Sequence, residues 1–152
     1  MNKNPFPPNG GSPLSSPRLK PGASRGYSVI IHLEQIAPED LPLELAISAV
    51  TMAELGAGPH ATSDPIERAR RQDRLQRTEA TFDPLPVDST VARAYGQLYA
   101  TVMASGRKTR GRRAFDLLIA ATALAAQLPL YTSNPDDFSD LVSLIDVIAV
   151  SP

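Results

Sequence analysis

Ala114-Phe115-Asp116-Leu117-Leu118-Ile119-Ala120-Ala121-Thr122-Ala123-Leu124-Ala125-Ala126-Gln127-Leu128-Pro129-Leu130-Tyr131-Thr132 carries a single charged side chain, Asp116. The spacing predicts an apolar helix over about Phe115 to Gln127 and a strand over Leu128 to Thr132. Beyond it, Asn134-Pro135-Asp136-Asp137 predicts a turn, Ser139 to Ser143 one helical turn, and Ile145 to Val150 a last strand. Short apolar strands alternating with helices predict an α/β domain, a parallel sheet with helices on both faces. In such sheets functional groups collect at the carboxyl ends of the strands.

Working back towards the amino terminus, Gly106 is expected to end a helix whose apolar positions are Val91, Tyr95, Leu98 and Val102 and whose cap is Asp88. Asp64-Pro65-Ile66-Glu67 carries the start signal of another helix running to about Ala80, rich in arginine (Arg68, Arg70, Arg71, Arg74, Arg77) and read as a solvent face. Phe82 to Val87 is read as extended. Leu45-Ala46-Ile47-Ser48 reads as a short strand entering a helix at Thr51 that ends near Gly56 or Gly58. The segment Tyr27-Ser28-Val29-Ile30-Ile31-His32-Leu33-Glu34 is apolar enough to enter a core, as a strand or as a first helical turn. Residues 1–25 hold six of the fifteen prolines and no apolar periodicity, so they read as a disordered leader before a domain spanning 26–150.

The 152 residues suit one domain, and a hydrophobic content of 42% suffices for one core. A net charge of −1 advertises neither nucleic acid nor membrane, so any such partner must be read from local charge clusters. The absence of cysteine excludes disulfides, thiolate metal sites and a cysteine nucleophile, and suits a cytoplasmic protein. No apolar run is long enough for a transmembrane span, and no secretory signal is visible.

A lone carboxylate among apolar neighbours is costly unless its charge is offset, and for Asp116 the plain explanation is a helix cap. Glu54 stands at capping-box spacing from Thr51, and turn chemistry accounts for Asp136 and Asp137. All these positions nevertheless fall at expected carboxyl ends of strands or at the helix starts that follow. Carboxylates converging there repel unless a hard cation joins them, and such a cluster supports metal-assisted phosphodiester hydrolysis.

Three segments resemble, in order and spacing, the motifs of the VapC-type toxins of the PIN-domain ribonuclease family. Ile47-Ser48-Ala49-Val50-Thr51-Met52-Ala53-Glu54-Leu55 resembles the second motif and Phe115-Asp116-Leu117-Leu118-Ile119-Ala120-Ala121-Thr122-Ala123 the third. Leu130-Tyr131-Thr132-Ser133-Asn134-Pro135-Asp136-Asp137-Phe138 resembles the fourth. The resemblance implies a single PIN-like domain and a Mg2+-dependent endoribonuclease, with Mn2+ as substitute. It implies an RNA substrate, a VapB-type antitoxin as partner, and a homodimer. It assigns catalysis and metal binding to Glu54, Asp116 and Asp137, and substrate contacts to Asn134 and Ser28.

The first motif departs from the family. Ser28-Val29-Ile30-Ile31 matches the helix start that follows the family's Asp-Thr-Ser or Asp-Ser-Ser, but Gly26-Tyr27 occupies the place of the aspartate. Leu19 to Arg25, with Pro21 and Gly22, is unsuited to a central strand. A metal ligand and a core strand are therefore expected to be missing, through a frameshifted leader or through decay of the toxin. An inactive PIN-fold protein that still binds antitoxin or RNA is the competing reading; a generic α/β module whose acids are all caps and turns is the third.

Arg107 to Arg113 carries five positive charges in seven residues. Arg110, Arg112 and Arg113 are expected either to hold RNA phosphates beside the acidic cluster or to belong to a solvated linker. His32 and His60 have no metal-ligand spacing and are expected at the surface or at a helix cap.

Overall fold

The computed structural model describes residues 27–30, 44–107 and 111–150. Four parallel strands, β1 (Tyr27–Ile30), β2 (Glu44–Ala46), β3 (Leu130–Thr132) and β4 (Val147–Ala149), form a sheet in the order β2-β1-β3-β4. The helices are α1 (Ala49–Ala57), α2 (Pro65–Thr81), α3 (Ser89–Ala104) and α4 (Arg112–Ala126). Two 3-10 helices, Gly58–Ala61 and Pro135–Leu141, complete the described elements.

The interior strand corrects an expectation. Tyr27–Ile30, matched by resemblance to a helix start, is extended and lies between β2 and β3, pairing Tyr27 with Glu44 and Val29 with both Ala46 and Leu130. The place expected to be empty is filled by the segment expected to follow it. Val29 and Ile30 are β-branched, so the same apolar run suits a strand as well as a helix, and two neighbouring strands decide between them. The leader 1–25, with Gly26 and His32, lies outside the described residues.

At the first helix the expected entry at Thr51 is also corrected. Ser48 is the N-cap, accepting a hydrogen bond from the Thr51 amide (3.0 Å), and the two hydroxyls lie 3.1 Å apart. Thr51 is thus the third residue of α1 and not its cap. Just before it, Leu85 closes a parallel bridge with Ser48, its amide donating to the Ile47 carbonyl (2.8 Å) and its carbonyl accepting from Ala49 (2.8 Å). The extended reading of Phe82 to Val87 therefore becomes a one-residue extension of the sheet beside β2.

Asp64 caps α2 through Ile66, and Asp88 caps α3 through Thr90 and Val91, with Gly106 at φ +79° just past the end of α3, as the sequence signals. Val91, Leu98 and Val102 of α3 are buried against Leu117, Ile119, Ala120, Ala121 and Ala123 of α4. Ala120, Ala121 and Ala123 let the two helices approach closely. Phe138, Leu141 and Ile145 seal the β3–β4 side of the same core. The connection from β3 to β4 contains a 3-10 helix over Pro135–Leu141, longer and earlier than the expected Ser139–Ser143 turn.

The functional consequence is topological. From β1 the chain goes to β2 on one side, then returns to β3 and β4 on the other, so the strand order reverses between β1 and β3. Clefts in open parallel sheets form at that switch point, beyond the carboxyl ends of the strands.

Candidate functional site

Three segments reach the carboxyl edge of the sheet: the β2–α1 junction, the turn after β3, and the start of α4, which runs back towards the amino ends of the strands before β3 begins. At the first, the Ser48 cap fixes the first turn of α1 and leaves Glu54 in its second turn, beyond capping-box reach. The cap explanation for Glu54 therefore does not hold. Its side chain is half-buried and lines a cavity.

The cap explanation fails for Asp116 as well. The predicted start near Phe115 is three residues late: α4 begins at Arg112, its N-cap is Gly111 at φ +67°, and no acidic residue lies in its first turn. Asp116 is in the second turn, only 8% exposed, on a helix that packs against α1, α3 and β1. A carboxylate buried there carries a desolvation cost that helix capping does not explain.

At the third segment, Thr132 is fully buried at the end of β3, and its hydroxyl accepts the Asn134 amide (3.0 Å). This pins the backbone as it leaves the switch point. Asn134 and Asp137 are exposed, Asp137 in the first turn of the second 3-10 helix. Sequence reading overlooked Ser48 and Thr132, two buried hydroxyls that shape these turns; the signal was a hydroxyl residue as each short strand ends.

The cavity, of ≈ 700 Å³, joins α1 to the start of α4: Glu54, Leu55 and Gly58 line it together with Gly111 and Phe115. Glu67, Arg71 and Arg74 of α2 line it as well, while Arg68, Arg70, Arg74 and Arg77 are exposed, as expected of a solvent face. Arg71 is half-buried, donating to Glu67 (2.9 Å) and to the Gly58 carbonyl (3.0 Å). The structure thus places Glu54 and Phe115, the residue preceding Asp116, on the lining of one cavity. Among the described residues no three or more His, Cys, Asp or Glu side chains are grouped closely enough to hold a metal ion.

The basic segment is partly neutralised from within. Arg107, at one end, lies 3.2 Å from Asp140 and donates to the Asp136 carbonyl (3.3 Å), while Arg113, at the other, approaches the same Asp140 oxygen at 3.9 Å. Arg113, expected on RNA, therefore has an internal acidic partner. Arg112 opens α4, Ser28 is placed by its backbone in β1 opposite Leu45, and Arg110 lies outside the described residues. His60 is exposed, as expected. No helix among the described residues is long and apolar enough to cross a membrane.

Set beside known proteins, residues 30–143 match the PIN domain family. The chain is 36% identical over 112 residues to Ribonuclease VapC5 of Mycobacterium tuberculosis, an alignment covering 72% of this chain and 79% of that protein. Among solved structures it is similar to VapBC-5 of Mycobacterium tuberculosis, a member of the VapBC family of toxin-antitoxin systems, with TM-score 0.70 and 33% identity. That match covers 84% of this chain and 99% of the other. It is also similar to FitAcB of Neisseria gonorrhoeae, with TM-score 0.58 and 27% identity, covering 76% and 79% of the two chains.

Proposed function

This chain belongs to the PIN-domain family, among its VapC ribonucleases, and we propose that it is the ribonuclease toxin of a VapBC-type pair, cutting RNA in the cytoplasm until a VapB-type antitoxin binds it. The observation that carries the chemistry is Asp116, a carboxylate buried in the second turn of α4 where no cap requires it, with Glu54 on the helix packed beside it. We assign the domain to 26–150, preceded by the leader 1–25.

PIN ribonucleases as a class depend on a divalent metal. The donor set here fits a hard cation: two carboxylates on packed helices, one of them buried, with no nitrogen or sulfur donor among the site residues. Magnesium accepts one or two protein carboxylates and keeps several waters, so the lack of a three-acid group among the described residues does not exclude it. Glu54 and Asp116 would hold Mg2+, with Mn2+ as substitute. When bound, the cation lets water attack phosphorus near neutral pH and steadies charge on the leaving oxygen.

The chain's own residues do the rest. Ser48 and Thr132 fix the turns that carry the site, and burial of Asp116 keeps bulk water from competing for its charge. Asn134 and Asp137, at the surface after β3, contribute hydrogen bonds through water to the phosphodiester. Arg110 and Arg112 are assigned to RNA contact; Ser28, inside the central strand, and Arg113, beside Asp140, are not.

The test is cleavage of a structured RNA by the full chain with Mg2+ or Mn2+, with and without EDTA. Cleavage is expected with metal, abolished by chelator, and reduced roughly a hundredfold or more by Asp116→Asn. Metal-independent cleavage, or full activity in Asp116→Asn, sinks the assignment. One observation favours a second reading, a PIN-fold protein that binds antitoxin or RNA without turnover: the described acids do not form a group of three. Antitoxin capture without cleavage under any metal would select it.

A further inference from the structure

The geometry points to a nucleotide subsite formed by Arg74 and Phe115 in the cavity beside Glu54, taking one unpaired nucleotide of single-stranded RNA, with its base on the Phe115 ring and a flanking phosphate on the Arg74 guanidinium. This deepens the ribonuclease reading and rests on it for its biological meaning, although binding can be measured without turnover.

The arginines of α2 are not equivalent. Arg68 donates to the Thr62 carbonyl (3.0 Å), Arg77 pairs with Asp73 (2.8 Å), and Arg71 is bound to Glu67 and the Gly58 carbonyl. Arg70 and Arg74 have no acidic partner among the described residues, and of these two only Arg74 lines the cavity. Three residues apart, Arg71 and Arg74 share a helix face. Because Arg71 already neutralises Glu67, the positive charge left on the α2 wall is that of Arg74.

Opposite that wall, Phe115 is 54% exposed although it stands next to buried Asp116 on a helix that is otherwise a core element. A phenylalanine left exposed in a cavity that also carries Glu54, Glu67, Arg71 and Arg74 offers a π-face, and a base covers it with little dependence on base identity. The volume, ≈ 700 Å³, is within the range of small-molecule pockets and admits a nucleotide. An aromatic face, a cation with no acidic partner among the described residues and a candidate catalytic carboxylate on one cavity match the chemistry of an RNA strand better than that of an apolar peptide.

The experiment measures binding of a fluorescein-labelled 2′-O-methyl oligonucleotide, which resists cleavage, to the full chain by anisotropy across a salt series. A parallel probe carries 2-aminopurine. Arg74→Ala is expected to weaken binding about fivefold and to lower the slope of log K against log salt by about 0.7, the loss of one single-strand phosphate contact. Phe115→Ala is expected to weaken binding at least about fivefold and to abolish 2-aminopurine quenching, and Phe115→Trp to restore both. In cleavage assays the same variants raise KM more than they lower kcat.

Wild-type affinity, slope and quenching in both alanine variants overturn the subsite, as does a wild-type chain that does not bind the oligonucleotide. If the variants instead lose only the co-expressed antitoxin, the cavity is a protein-docking site and the proposal is wrong. A chain that binds RNA with these dependences and never cleaves it refutes the nuclease reading while the subsite stands; cleavage unaffected by either substitution does the reverse.

Discussion

A single carboxylate, Asp140, faces the guanidinium groups of both Arg107 and Arg113, at the two ends of the basic segment. Arg113 occupies the second position of α4, where the positive end of the helix dipole disfavours a cation, so the aspartate offsets a local cost as well as tying two segments together. The carboxylate is 17% exposed, between the surface regime, where a pair contributes under about 1 kcal/mol, and the buried regime, where breaking one costs several. Asp140→Asn is therefore expected to destabilise the chain by about 1–2 kcal/mol. The loss should shrink in 0.5 M NaCl, because the repulsion left between the arginines is screened. Urea unfolding at two salt concentrations checks both points, and an equal loss at both would mean that the contact acts through packing. The same substitution frees two cations and should steepen the salt dependence of RNA binding.

Among the elements, the helices with strong local punctuation were legible and the others only in part. Asp64-Pro65 and Asp88 announce α2 and α3 because their side chains hold orphan amides whatever the rest of the fold does. The start of α4 was not legible: its N-cap is a glycine without a side-chain bond, so nothing local marks Arg112 as the first residue. At its other end Gln127 is the C-cap in the left-handed region, φ 55°, with its amide bonded to the carbonyls of Ala123 and Leu124. That conformation is disfavoured for a residue with a Cβ by roughly 1 kcal/mol, and glycine adopts it freely. Gln127→Gly should raise stability by about 0.5–1 kcal/mol, shifting Tm up by about 1–4 °C in a domain of this size. Thermal unfolding followed by circular dichroism reads the sign directly, and a fall in Tm would mean that the glutamine side chain contributes more at this helix end than its backbone conformation costs.

For the molecule as a whole, Glu54 and Asp116 were legible as candidates because an acid in an apolar setting needs a reason, and the structure removed the capping explanation for each. The cavity was not legible, since it depends on how α2 lies on α1, which the thin apolar stripe of α2 does not specify. Nor was the register of the first motif. Resemblance put the missing aspartate at Gly26, immediately before Tyr27; yet Tyr27 opens β1 and Ile30 closes it, with the strand parallel to its neighbours. Glu54 follows the carboxyl end of β2, whereas a carboxylate introduced at position 26 precedes Tyr27, the first residue of the central strand. Gly26→Asp is therefore expected to leave metal-dependent RNA cleavage at the wild-type level. The alternative register makes the contrary prediction, because there Tyr27 stands past a strand and residue 26 sits at the metal. Measured cleavage with Mn2+, paired with calorimetric titration of Mn2+ into both proteins, separates the two: a gain in metal affinity together with a gain in cleavage would show that the first strand pairs one segment earlier than it does here. Unchanged affinity and rate would leave residue 26 outside the metal site.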